Sequence, residues 1–217
     1  PAVEGLEVLV PDFMTRVVAV ISQEARSSPH LNQRSGVSVR MSVANHEALV
    51  ASAVRRAIRT GESTAVPRVS DLEALPASMA GKVEVDSLDE GRDGEILERI
   101  VQAGVLSTFR NLVPGELHRG VVEAFDDHEG VSTGEDVGSA AYVEVAGSIP
   151  ALSTAATVVL GDEPESPPDA AREPALVASA VELVLEGLHL SKRLNKRTSG
   201  PASRYEARGG GPGANGT

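Results

Sequence analysis

The sequence predicts a mainly α-helical protein with at most a short strand near residues 83–88. Three observations carry this reading. Apolar residues recur at helical spacing in most segments between Pro and Gly breaks. Alternation of apolar and polar residues shows only at Val83-Glu84-Val85-Asp86-Ser87-Leu88, and there in part. The 217 residues are 41% apolar but only 2% aromatic, with no Trp, so the core is assembled from Val, Leu and Ala. The length admits one or two domains.

The helices follow in chain order. Asp12, after Pro11, can cap a helix to about Ser27, with Phe13, Val17, Val20, Ile21 and Ala25 at helical spacing. Ser27-Ser28-Pro29 ends it, because Pro cannot continue a helix and restricts the residue before it. Residues 30–38 read as a loop. A second helix runs from Ser42 to Thr60 with Gly61 at its C-cap turn. Its apolar stripe is read as Val43, Leu49, Val50, Ala53, Val54, Ala57 and Ile58. Arg55, Arg56 and Arg59 fall in its last turns, where cations suit the helix dipole. Ser70-Asp71-Leu72-Glu73 has capping-box form and opens a short helix towards Ala80, interrupted by Pro76.

A long helix is expected over Glu95–Val113 and another over Gly115–Asp127. Residues 128–138 are Gly-rich and acidic, hence a loop. Helices are also expected over Ser139–Ala146 and Ala151–Leu160, either side of Pro150. Residues 161–174 read as a solvated linker. A last helix spans Ala175 to Lys196. The Gly-rich end, 198–217, reads as disordered.

Composition excludes several functions. Without cysteine there are no disulfides, thiolate metal sites or cysteine nucleophiles. A net charge of −11 argues against a whole-chain grip on nucleic acid, and so few aromatics leave little to stack bases on. No apolar run reaches the roughly 18 residues of a membrane span. Glu4 and Glu7 replace the basic start of a signal peptide. A cytoplasmic location is expected. The start at Pro1, without Met, suggests a fragment or a processed chain.

The charge is unevenly placed. Residues 1–81 hold eight Arg, no Lys and eight carboxylates, and are balanced. Residues 82–173 hold six cations and 20 carboxylates. Residues 191–217 hold six cations against Glu206 alone. Arginine offers a rigid fork suited to phosphate or carboxylate, so the first third is where an anionic ligand is expected.

Familiar motifs are missing or match only as letters. No G-x-x-x-x-G-K-[ST] or H-E-x-x-H occurs. Gly211–Gly216 fits G-x-G-x-x-G, but with no strand before it or helix after it. Gly130-Val131-Ser132-Thr133-Gly134 fits the nucleophile elbow, yet acidic residues flank it where a buried strand and a helix are required. The bland reading is a flexible loop. His118 and His128 with Asp126 and Asp127 could suggest a metal, and acidic helix ends explain them better. The adjacent pairs Asp126/Asp127 and Glu135/Asp136 do not face each other across a substrate, as an acid–base pair must.

The sharpest local feature is Ser35-Gly36-Val37-Ser38-Val39-Arg40-Met41-Ser42, which places Arg40 at a helix start. Free N–H groups and the helix dipole favour an anion there, and Arg40 adds a permanently charged donor. A cation is otherwise misplaced at that end. The structural alternative pairs Arg40 with Glu4 or Glu7.

The strings SSPHLNQRSGVSVRMSVANHEALVASAVRRAIRTGE (27–62) and AVPRVSDLEALPASMAGKVEVDSL (65–88) resemble the region behind the ATPase core of magnesium chelatase-like and MoxR-type AAA+ proteins of bacteria. GEILERIVQAGVLSTF (94–109) and AVELVLEGLHLSKRLNK (180–196) are similar to the C-terminal extension of that group. The resemblance covers about residues 8–197. It implies a helical AAA+ lid over 1–81, followed by an acidic helical extension over 82–160 and a C-terminal helix over 175–197; the linker over 161–174 and the tail over 198–217, read from composition, lie outside it. It implies that Arg40 is the second-sensor arginine reaching the γ-phosphate of ATP. Arg34 is a further candidate for phosphate or subunit-interface contact. The G-L-R triplet of the chelatase subunit proper is absent, and Val39 precedes Arg40.

The resemblance further implies a full-length ATPase using ATP and Mg²⁺, a homo-oligomeric ring, expected to be a hexamer, and a von Willebrand A-domain partner. MoxR-type relatives are often assembly chaperones. The P-loop Lys and the Mg²⁺-holding motif are not in this sequence, so this chain alone is not expected to hydrolyse ATP. The competing reading is a non-catalytic helical adaptor that binds a protein through the acidic region and the 175–196 helix. Nucleic-acid binding would rest only on Lys192, Arg193, Lys196, Arg197, Arg204 and Arg208, and such a tail is ordinarily just solvated.

Overall fold

The computed structural model describes residues 5–32, 37–85, 92–161 and 173–209. Arg34, residues 86–88 of the expected strand, most of the 161–174 linker and residues 210–217 lie outside them. The chain runs β1 (Glu7–Val8), α1 (Asp12–Ser27), α2 (Val39–Thr60), β2 (Thr64–Ala65), a 3₁₀ turn (Val69–Ala74), α3 (Leu75–Met79), α4 (Asp93–Leu112) and α5 (Gly115–Asp126). It continues through β3 (Val131–Gly134), α6 (Ser139–Ser148), α7 (Pro150–Val159), α8 (Pro174–Leu190), β4 (Leu194–Ser199) and β5 (Ala202–Ala207). The mainly α class is the one expected.

Local chemistry sets the helix ends. Ser38 caps α2 by accepting a hydrogen bond from the Arg40 N–H at 3.2 Å. Gly61, at φ 72°, closes α2 in the left-handed region that glycine enters without penalty. Pro150 and Pro174 sit in the first turns of α7 and α8, where a missing N–H costs nothing.

The helices pack through close approaches at glycine. A Cβ on Gly104 of α4 would collide with Ile21 of α1, and one on Gly187 of α8 would collide with the ring of Phe109 of α4. Helix α8 is buried on nearly every side, from Ala175 to Leu188, and packs against α4, α6 and α7. A helix this apolar, with its two buried glutamates hydrogen-bonded, belongs at the centre of a fold. One hydrophobic cluster runs from Phe13 through Phe109 and Leu185 to Tyr205.

The strands lie elsewhere than near 83–88. Val83 and Val85 make only isolated bridges, to Ala80 and Leu31. Instead β1 pairs in parallel with β2, and a three-stranded antiparallel sheet has the order β3-β5-β4. The last helix stops at Leu190 rather than Lys196. Lys192 takes a positive φ of 60°, and the Arg193 N–H reaches back to the Leu188 carbonyl at 2.8 Å. That six-to-one closure ends a helix. The following hairpin is ordered, against the disorder expected from 198 onward, because Leu194 and Tyr205 are buried in the core. Residues 131–134, expected as loop, form the third strand on that hairpin.

The buried face of α2 also differs from the expected stripe. Met41, Asn45, Leu49, Ser52, Ala53, Arg56 and Ala57 are buried. Val43 and Ile58 are 52% and 55% exposed, as is Val39 at 70%. The helix is rotated so that Arg56, matched by carboxylates, enters the interior.

Candidate functional site

Two sites emerge at opposite ends of α2. At its start Arg40 is exposed, and no acidic residue occupies the first turn. Among the described residues the guanidinium has no hydrogen-bond or ion-pair partner; of the two structural partners offered, Glu7 is exposed in β1 and makes no ion pair with it, and Glu4 lies outside the described residues. Ser38 occupies the Arg40 N–H, while Met41 N–H bonds to the Ser38 carbonyl at 2.9 Å. The arrangement offers a free, forked cation at a helix N-terminus, a combination that suits a phosphate oxygen.

At the other end lies a buried ionic network. Arg56 is 1% exposed, Arg68 0% and Asp71 1%. Arg56 donates to Asp71 at 3.0 Å, to Glu62 at 3.3 Å and to the Val66 carbonyl at 2.6 Å. Arg68 donates to Glu62 at 3.2 Å, to the Val137 carbonyl at 2.8 Å and to the Ser139 hydroxyl at 2.5 Å. Glu62 accepts the Ser139 N–H at 2.6 Å, so a residue just past α2 caps α6. Two cations face two carboxylates, as burial of charge requires. Burial pushes the Glu62 carboxyl up, but the Ser139 N–H, the Arg68 guanidinium, the Ser139 hydroxyl and Arg56 together hold it below the usual carboxylate value. On the surface Arg59 extends the join, reaching Glu135 at 2.7 Å and Asp136 at 3.2 Å.

Beside this network a cavity of about 450 Å³ opens between the 3₁₀ turn, α4, α8 and the hairpin. Glu182 and Glu186, one turn apart on α8, line it. Glu182 accepts from the Ser70 N–H at 2.7 Å and from the Tyr142 hydroxyl at 2.5 Å. Glu186 accepts from Lys196 at 2.8 Å and from the Tyr205 hydroxyl. Burial, then the neighbouring carboxylates, push both tyrosine hydroxyls well up, so both remain donors. Burial likewise raises Glu73 on the cavity rim.

Several expected residues take other roles. Ser70 serves Glu182 instead of capping, and the 3₁₀ turn is capped by Asp71 accepting the Arg68 N–H at 2.8 Å. Ser132 points outward from β3 with Arg204 at 3.5 Å. His118 is buried, stacks on Phe109 at 4.6 Å and bonds to the Val113 carbonyl at 2.9 Å; burial lowers its pKa. His128 accepts the Gly130 N–H at 3.1 Å. Among the described residues no group of three His, Asp or Glu is placed to hold a metal ion. No helix among them is long and apolar enough to cross a membrane.

Sequence reading assigned Arg56 to the helix dipole and passed over Arg68, Glu62 and Glu182. A signal existed for Arg56: it falls in helical register with Leu49, Ser52 and Ala53. None marked Glu182, whose partners lie 40 and 112 positions away. Comparison with protein-family models, with curated proteins and with solved structures gave no match.

Proposed function

We propose that this chain is the lid and helical extension of a magnesium chelatase-like or MoxR-type AAA+ ATPase. One observation carries the reading: an exposed Arg40, without an ion-pair partner among the described residues, on the first turn of a Ser-capped, 22-residue helix, within the strings that resemble that group. In this reading Arg40 contacts the γ-phosphate of ATP as the second sensor, and Arg34 lies nearby in sequence as a further phosphate or interface contact. ATP supplies the phosphoryl group; the P-loop, and the residues that hold Mg²⁺, lie outside this chain. A homo-oligomeric ring, a von Willebrand A-domain partner and a cytoplasmic location go with the same reading.

The test is ATP hydrolysis and assembly by the full-length protein carrying Arg40→Ala. Hydrolysis is expected to fall by about 10-fold or more, because a charge contact made to the reacting phosphate is lost. Both properties at wild-type level overturn the second-sensor role. The second reading, a helical adaptor, is favoured by Val39 and Val43, exposed one turn apart at the start of α2. It predicts protein capture without nucleotide binding.

A further inference from the structure

The outward face of the β3-β5-β4 sheet holds cations where local energetics disfavour them. Inward positions Leu194, Ser203 and Tyr205 are buried, so Arg197, Arg204 and Glu206 point outward. Arg197 of β4 pairs in register with Arg204 of β5, and Ser132 of β3 continues the row. Like charges directly opposite across two strands destabilise a sheet. Lys192 is the second violation. It is the non-glycine residue with positive φ among the described residues, at a helix-closing position where glycine is at ease. Arg208 donates to the Lys192 carbonyl, which places these two residues together at the other end of the hairpin.

The patch also shows what it accepts. The Glu206 carboxylate sits between the two guanidiniums, 3.2 Å from Arg197 Nε and 3.3 Å from Arg204 Nε. Arg197 is still 71% exposed, and Lys192 and Arg208 are exposed. Two guanidiniums thus flank one carboxylate, with two further cations exposed at the neighbouring end of the hairpin, in a chain whose net charge is −11. The aromatic residue of this hairpin, Tyr205, faces the core and offers no surface for a base.

We infer that this sheet face docks an acidic polypeptide segment, whose carboxylates extend the pattern set by Glu206. Charge complementarity and the guanidinium–carboxylate geometry select the partner chemistry. This inference is independent of the ATPase reading.

The test is fluorescence anisotropy of a labelled oligoglutamate peptide, and separately of a labelled single-stranded DNA, against this whole chain at low and physiological salt. The peptide is expected to bind in a salt-dependent way. Arg197→Glu with Arg204→Glu is expected to weaken it by about 10-fold or more, and Glu206→Gln, which leaves the hairpin packing intact, to tighten it by about threefold. Arg99→Glu, the same kind of charge reversal on exposed α4, is expected to change binding by less than about twofold. The inference is overturned by failure of the peptide to bind, by an Arg99→Glu effect equal to that on the sheet, by an unchanged Glu206→Gln affinity, or by tighter binding of the DNA.

Discussion

The carboxylate of Glu62 accepts the backbone N–H of Ser139 at 2.6 Å, across 77 positions of sequence. A single side chain just past α2 therefore caps α6 while pairing with Arg56 and Arg68. The end of α2 and the start of α6 are held by one charged group.

Removing that charge leaves two buried guanidiniums with one carboxylate. Glu62→Gln is expected to lower stability by about 2–4 kcal/mol in urea denaturation at neutral pH, the cost of breaking a buried pair. A loss below about 0.5 kcal/mol would mean that Asp71 alone balances both arginines.

The same group sets a pH dependence. Its folded pKa lies below the ordinary glutamate value, so its stabilisation is present above that value and is lost as pH falls through the folded pKa. The stability gap between wild type and Glu62→Gln is expected to shrink on acidification from neutral to about pH 3. A constant gap across that range would contradict the ionised role.

Arg40→Ala is expected to leave the stability of this chain to urea unchanged within about 0.5 kcal/mol, because the guanidinium is exposed and makes no hydrogen bond or ion pair among the described residues. A larger loss would assign Arg40 to the fold and weaken the phosphate reading.

Gly187→Ala places a methyl group against the Phe109 ring where α8 meets α4. Overpacking of this kind is expected to cost about 1–3 kcal/mol in the same measurement. A neutral result would show that the two helices can part without loss.

Asn45 is fully buried on α2, and neither its amide nitrogen nor its oxygen has a partner. Asn45→Leu keeps the branching and removes the unmet polar atoms. It is expected to raise stability by about 1 kcal/mol, since an orphaned buried amide carries a desolvation cost of about that size or more. Destabilisation would show that the amide does work that the apolar shape cannot replace.

The sequence by itself determined the helical class, most helix positions and the Arg40 helix start. Each of these rests on neighbours within a few residues: 3.6-residue periodicity, with Gly61 and the prolines as punctuation. The tertiary structure decided which face of α2 is buried, where the last helix ends and what the carboxylates do. Arg56 looks like a surface cation until Asp71 and Glu62 are brought to it. The hairpin looks like a tail until Leu194 and Tyr205 find the core. Burying a charge or ordering a strand depends on partners as far as 112 positions away, as Ser70 is from Glu182, and only the folded chain brings them together.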